Sequence, residues 1–138
     1  PNGYRGGGFI MSTSVKIEFF FKNHDVLMFK ILPESAGDKI KKVLGRLKEI
    51  KIDQSDFDDM FLIRGSDEKK IKNLFRKPSI SEFMLHHRRL SLELTPNSLV
   101  FTTYLPIGSI EHLKMIYNWL SEILNELCIM GSGYENPA

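Results

Sequence analysis

The sequence predicts an α+β domain: an antiparallel sheet of five or six strands, short helices, and a long C-terminal helix packed on one face. Three observations carry this prediction. Residues 15–22 and 90–94 alternate with period two, the mark of half-buried strands. Residues 110–128 instead place apolar side chains at helical spacing. Between these ends, strand-like and helix-like stretches follow one another without the regular β-α-β alternation of a parallel sheet.

The elements follow in chain order. Val15, Ile17, Phe19 and Phe21 alternate with Lys16, Glu18, Phe20 and Lys22. "KNHD" then supplies turn residues and "VLMFKIL" a second strand, so the pair reads as a β-hairpin. After Pro33 the period changes: Ile40, Val43, Leu44, Leu47 and Ile50 fall at helical spacing. The expected helix runs from Gly37 to Glu49, capped by Ser35 or Asp38, with Lys39, Lys42 and Arg46 on its outer face. Gly45 weakens it by about 1 kcal/mol relative to alanine.

In "DFDDMFLIRG", the run Phe57, Met60, Phe61, Leu62 and Ile63 reads as a buried strand ended by glycine. Ser66 can cap the next helix, whose first turn holds Asp67 and Glu68 and whose stripe is Ile71, Leu74 and Phe75. Pro78 stops that helix. "SISE" then matches a capping box of Ser79 and Glu82, opening a short helix through Phe83, Met84 and Leu85. "RRLSLELTPNSLVFTTYLP" reads as a hairpin around "TPNS". The last helix carries Ile110, Leu113, Ile116, Tyr117, Leu120, Ile123, Leu124 and Leu127 with Trp119 beside them. That apolar arc is wider than contact with one sheet requires.

A chain of 138 residues with 42% hydrophobic and 11% aromatic content suits one domain with one core, and 26% charged residues excludes wholesale disorder. The expected boundaries are a Gly-rich lead or foreign remnant over 1–10, a single domain over 11–130, and a flexible tail over 131–138. No apolar run has the length of a membrane span. The single Cys128 excludes an internal disulfide and suits a reducing, cytoplasmic location, whether as a free protein or as the soluble domain of a membrane-associated one. Between the hydrophobic residues around it, Cys128 reads as a core or edge residue rather than a catalytic thiol.

The acids of "DQSDFDDMFLIRGSDEKK" invite a metal or catalytic reading. A calcium loop needs glycine at its sixth position, and counting from Asp53 or Asp56 that position is Asp58 or Phe61. Asp56 and Asp58 would share one face of a strand, and they are the carboxylate pair that an enzyme of unknown class would use. His86 and His87 are adjacent and diverge by about 100° on a helix. His24 falls in a turn and His112 opens a helix, so the spacing predicts no metal site. "YRGGGFI" lacks the lysine and hydroxyl of a phosphate loop, and no cofactor pattern is present.

Net charge is +2, but residues 39–89 hold 14 Lys and Arg against 8 Asp and Glu, while the remainder holds 5 against 9. Lys39, Lys42 and Arg46 on one helix, with Arg88 and Arg89 in "HHRR", form the candidate surface for nucleic acid or anionic surfaces.

The order "DFDDMFLIRGSDEKKIKNLF", a short helix, the "RRLSLELTPNSLVFTTYL" hairpin and a long final helix resembles an uncharacterised prokaryotic domain family, found in archaea and bacteria. In that family a Phe-Asp strand leads into an Arg-Gly turn and a helix. The resemblance covers roughly residues 50–128 and implies a domain of unknown function, with no catalytic residues to carry over. The wide apolar arc of the final helix instead supports a non-enzymatic interaction or assembly module, with a protein partner or a second copy as in a homodimer. Nucleic-acid binding is its alternative.

Overall fold

The computed structural model describes residues 15–23, 27–36, 47–87, 89–103, 108–131 and 133–134. Its centre is a six-stranded sheet, β1 (Val15–Phe20), β3 (Phe29–Pro33), β4 (Lys48–Ile50), β5 (Phe61–Gly65), β6 (Leu90–Leu94) and β7 (Ser98–Thr103), in the order β1-β7-β6-β3-β5-β4. Every neighbouring pair is antiparallel. β2 (Lys22–Asn23) pairs with β8 (Gly133–Tyr134) in a separate two-stranded ladder, within the stretch read as a tail. The helices are α1 (Ser55–Met60), α2 (Glu68–Phe75), α3 (Pro78–Leu85) and α4 (Ile110–Ile129), with a 3-10 turn at Glu34–Ala36. This is the α+β architecture expected, with six strands and a long C-terminal helix.

The register explains why one sheet face holds the core. Ile17 opposes Phe101, Phe101 opposes Leu92, Leu92 opposes Ile31, and Ile31 opposes Ile63, which opposes Ile50. The row therefore crosses all six strands on one side. The next row, Phe19, Leu99, Leu94 and Phe29, runs on to Gly65 and then to the exposed Lys48. Against these rows α4 buries Ile116, Trp119, Leu120, Ile123 and Leu127, while α2 and α3 add Ile71, Leu74, Phe75, Ile80 and Met84.

Several local expectations are corrected. β1 and β3 do not form a hairpin: β1 pairs with β7, and β6 and β7 stand between it and β3. Their shared alternation showed two strands, but adjacency in sequence did not make them partners. The end of the expected helix over Gly37–Glu49 is strand, since Lys48–Ile50 pairs with β5. Its body, residues 37–46, lies outside the described residues. The expected strand from Phe57 begins only at Phe61, because Ser55–Met60 forms the helix α1 with Phe57 buried. Phe57 packs on Phe61 and Phe75, with ring centroids 5.0 and 5.6 Å apart, and tertiary packing of this kind overrides a short apolar run.

The caps differ as well. Asp67, not Ser66, caps α2: its Oδ1 accepts from the Lys70 amide at 3.1 Å. Ser66 instead ties the start of α2 to the lead into β3, with Oγ accepting from the Met28 amide at 2.9 Å. Ser79 is not a cap either. α3 starts at Pro78, with Lys77 at the cap position and no side-chain cap bond, and Ser79 Oγ donates to Glu122 Oε2 of α4 at 2.9 Å. The end of α4 is marked by Gly131, whose φ of 80° is the left-handed turn that closes a helix.

Candidate functional site

α1 brings part of the acidic stretch to the surface. A pocket of about 510 Å³ is lined by Asp56, Asp59, Met60 and Leu85. The expected carboxylate pair is not assembled on it. In a helix Asp56 and Asp58 point in different directions. Asp58 Oδ1 accepts from the Ile52 amide at 2.9 Å, a bond that fixes the turn between β4 and α1. Arg64, on β5, donates from Nη1 to the Leu47 carbonyl at 2.8 Å. The pocket therefore offers two exposed acids beside two apolar side chains.

Of the candidate basic surface only Arg89 can be placed, exposed just before β6. Lys39, Lys42, Arg46 and Arg88 lie outside the described residues. Two other lysines bind carboxylates within the fold. Lys77 Nζ lies 2.8 Å from Glu126 Oε1 and 3.3 Å from Glu122 Oε2, and the Glu126 hydrogen bond, then Glu122, holds its ammonium above the usual lysine range. Lys72, between Glu68 at 3.0 Å and Asp53 at 3.2 Å, is raised in the same way, Glu68 contributing most. These cations tie α3 to α4 and α2 to the β4–α1 turn.

Two surfaces emerge from the packing, the first with no signal in the spacing and the second signalled only by the width of the α4 arc. At the junction of α3 and α4, Trp119 donates from Nε1 to the Ile80 carbonyl at 3.0 Å. Phe83 stacks on Trp119 with centroids 4.4 Å apart, and His87 stacks on Phe83 at 4.0 Å. His87 Nε2 then faces His112 Nε2 at 3.2 Å. The two histidines are 25 residues apart, so only the α3–α4 packing brings them together.

The second surface is the outer flank of α4 beside β1. Ile110, Leu113 and Tyr117 are among the expected apolar stripe, yet they are 68%, 43% and 57% exposed. Their i, i+3, i+7 spacing places them on one flank. Tyr117 sets that flank next to the sheet edge, its ring 5.3 Å from Phe19 of β1. β1 is the terminal strand of the sheet, and among the described residues no strand pairs with its outer side.

The fold and this surface define a small α+β domain in which, among the described residues, the outer edge of β1 is unpaired and flanked by apolar helix residues. Comparison of the chain with protein-family models, curated proteins and solved structures finds no match in any of the three. The resemblance noted over residues 50–128 accordingly assigns no family. No helix among the described residues is long and apolar enough to cross a membrane.

Proposed function

We propose that the protein is a non-enzymatic assembly module that pairs with a second copy of itself through β1 and the adjoining flank of α4. The observation that carries this reading is the self-complementarity of β1. In an antiparallel pairing of two β1 strands about a two-fold axis at Ile17, Lys16 of each copy stands opposite Glu18 of the other. Ile17 then stands opposite Ile17, and Val15 opposite Phe19. Residues directly opposite share a sheet face, so both ion pairs form on the outer face, where Lys16 and Glu18 are exposed.

The axis runs perpendicular to the sheet, so both α4 helices stay on the same face and meet along Ile110, Leu113 and Tyr117. Pairing thus covers exposed apolar surface and closes a strand edge that is otherwise an aggregation hazard. A charge swap tests the register. Sedimentation of the parent should show a monomer–dimer equilibrium. K16E and E18K should each weaken it by roughly tenfold, because each turns two attractive pairs into two repulsive ones. The double variant K16E/E18K should recover the parent's affinity. A strictly monomeric parent at high concentration rules the reading out.

A further inference from the structure

We infer that His87 and His112 form a two-histidine binding site for a divalent transition-metal ion. His87 Nδ1 lies 2.8 Å from the Phe83 carbonyl oxygen. A carbonyl only accepts, so this nitrogen carries the ring proton. In the neutral ring the lone pair is therefore on Nε2, the atom that faces His112. A backbone carbonyl on the far nitrogen is the arrangement that orients ligating histidines in metal sites.

The separation of the two Nε2 atoms, 3.2 Å, admits a hydrogen bond, but it also fits a shared ion. Two imidazole nitrogens each about 2.0–2.1 Å from a tetrahedral metal lie roughly 3.3–3.4 Å apart. An ion would replace the one proton that can sit between the rings, with a ring movement of a few tenths of an ångström. Packing sets the ring of His87, and a helix cap fixes the backbone of His112. His87 is held flat on Phe83, which in turn stacks on Trp119. His112 sits in the first turn of α4, where Ser109 Oγ accepts from its amide at 3.0 Å.

Among the described residues no third His, Cys, Asp or Glu joins the pair. The remaining coordination positions would thus fall to water or an exogenous ligand. Both histidines are half-buried, which leaves the site open to solvent. Imidazole ligands select zinc, copper or nickel over magnesium and calcium. The site is separate from the proposed pairing surface, since His112 shares its flank of α4 with Trp119, seven residues on, and not with Ile110, Leu113 and Tyr117.

The chain supplies its own reporter. Trp119 is the single tryptophan and lies two stacked rings from the site, within range for quenching by bound copper. Calorimetric titration of the full chain with Zn2+ at neutral pH should give saturable one-to-one binding. Cu2+ should quench Trp119 emission with the same stoichiometry. H87Q and H112Q should each lower the affinity for both ions by about tenfold or more, while H86Q leaves it unchanged. His86 is exposed and makes its own Nδ1 contact to the Glu82 carbonyl, so it serves as the control. If H87Q fails to fold, H112Q alone decides. Absence of saturable binding in the parent, or its full retention in H112Q, overturns the site and leaves the pair as a hydrogen-bonded contact.

Discussion

Gly65 closes β5 where Ile71 of α2 comes down onto the strand. A Cβ at Gly65 would collide with Ile71 Cδ1 and approach Ile50 Cδ1 to 3.0 Å and the Met28 carbonyl to 3.3 Å. Ile71 is fully buried and has nowhere to retreat. Gly65→Ala should therefore destabilise the protein by about 1–3 kcal/mol, read from the denaturant midpoint at unchanged slope. The sequence marked this glycine only as the end of a strand; the reason for it is the helix above. Lys77 shows a residue effect with a pH signature. Its folded-state pKa is raised by Glu126 and Glu122, so the stability it contributes is fully present below the ordinary lysine value of 10.5 and disappears as pH rises beyond it. Lys77→Met should lower the unfolding midpoint at neutral pH, and the gap to the parent should narrow in titrations above pH 10.5.

Caps and helix contacts belong to the scale of the element. Asp67→Ala should cost about 1 kcal/mol by leaving an amide of α2 uncapped. Ser66→Ala acts elsewhere, removing the Oγ that receives the Met28 amide, and its signature is faster hydrogen exchange at Met28. The capping rules found the right neighbourhood for α2 but chose between two adjacent residues wrongly, because Ser66 was already engaged by a strand lead 38 residues earlier. Similarly, Ser79 and Glu82 matched a capping box that Pro78 at the first helical position preempts. α3 is instead held by α4. Trp119→Phe removes the indole N–H bond to the Ile80 carbonyl in a buried position and should cost about 1 kcal/mol, seen as a lower midpoint in circular dichroism melts.

At the scale of the whole molecule, β1 joins the sheet beside β7, and that placement leaves its outer side unpaired among the described residues. If the edge pairs with a second copy, the melting temperature of the parent should rise with protein concentration, whereas K16E should need roughly tenfold more protein for the same rise. The hairpin read over residues 15–32 would have given β1 a different partner. Period-two alternation reports which face a residue occupies but carries no information on which strand lies alongside. The β6–β7 hairpin was legible because a short turn separates the strands, with Leu94 opposite Leu99. The candidate sites divide in the same way. Asp56 and Asp58 looked paired on an assumed strand and part on the helix that is present. His87 and His112 looked unrelated and meet across α3 and α4.

The α+β class, the 90–103 hairpin, α2 and the long final helix follow from the sequence by itself, because each rests on local periodicity and turn chemistry that short-range physics reads directly. The tertiary structure alone decided the strand order, which residues of the wide α4 arc stay exposed (Ile110, Leu113 and Tyr117), and the meeting of the two histidines. Those depend on contacts between residues far apart in the chain, set by how α4 lies across the sheet, and no local pattern encodes them.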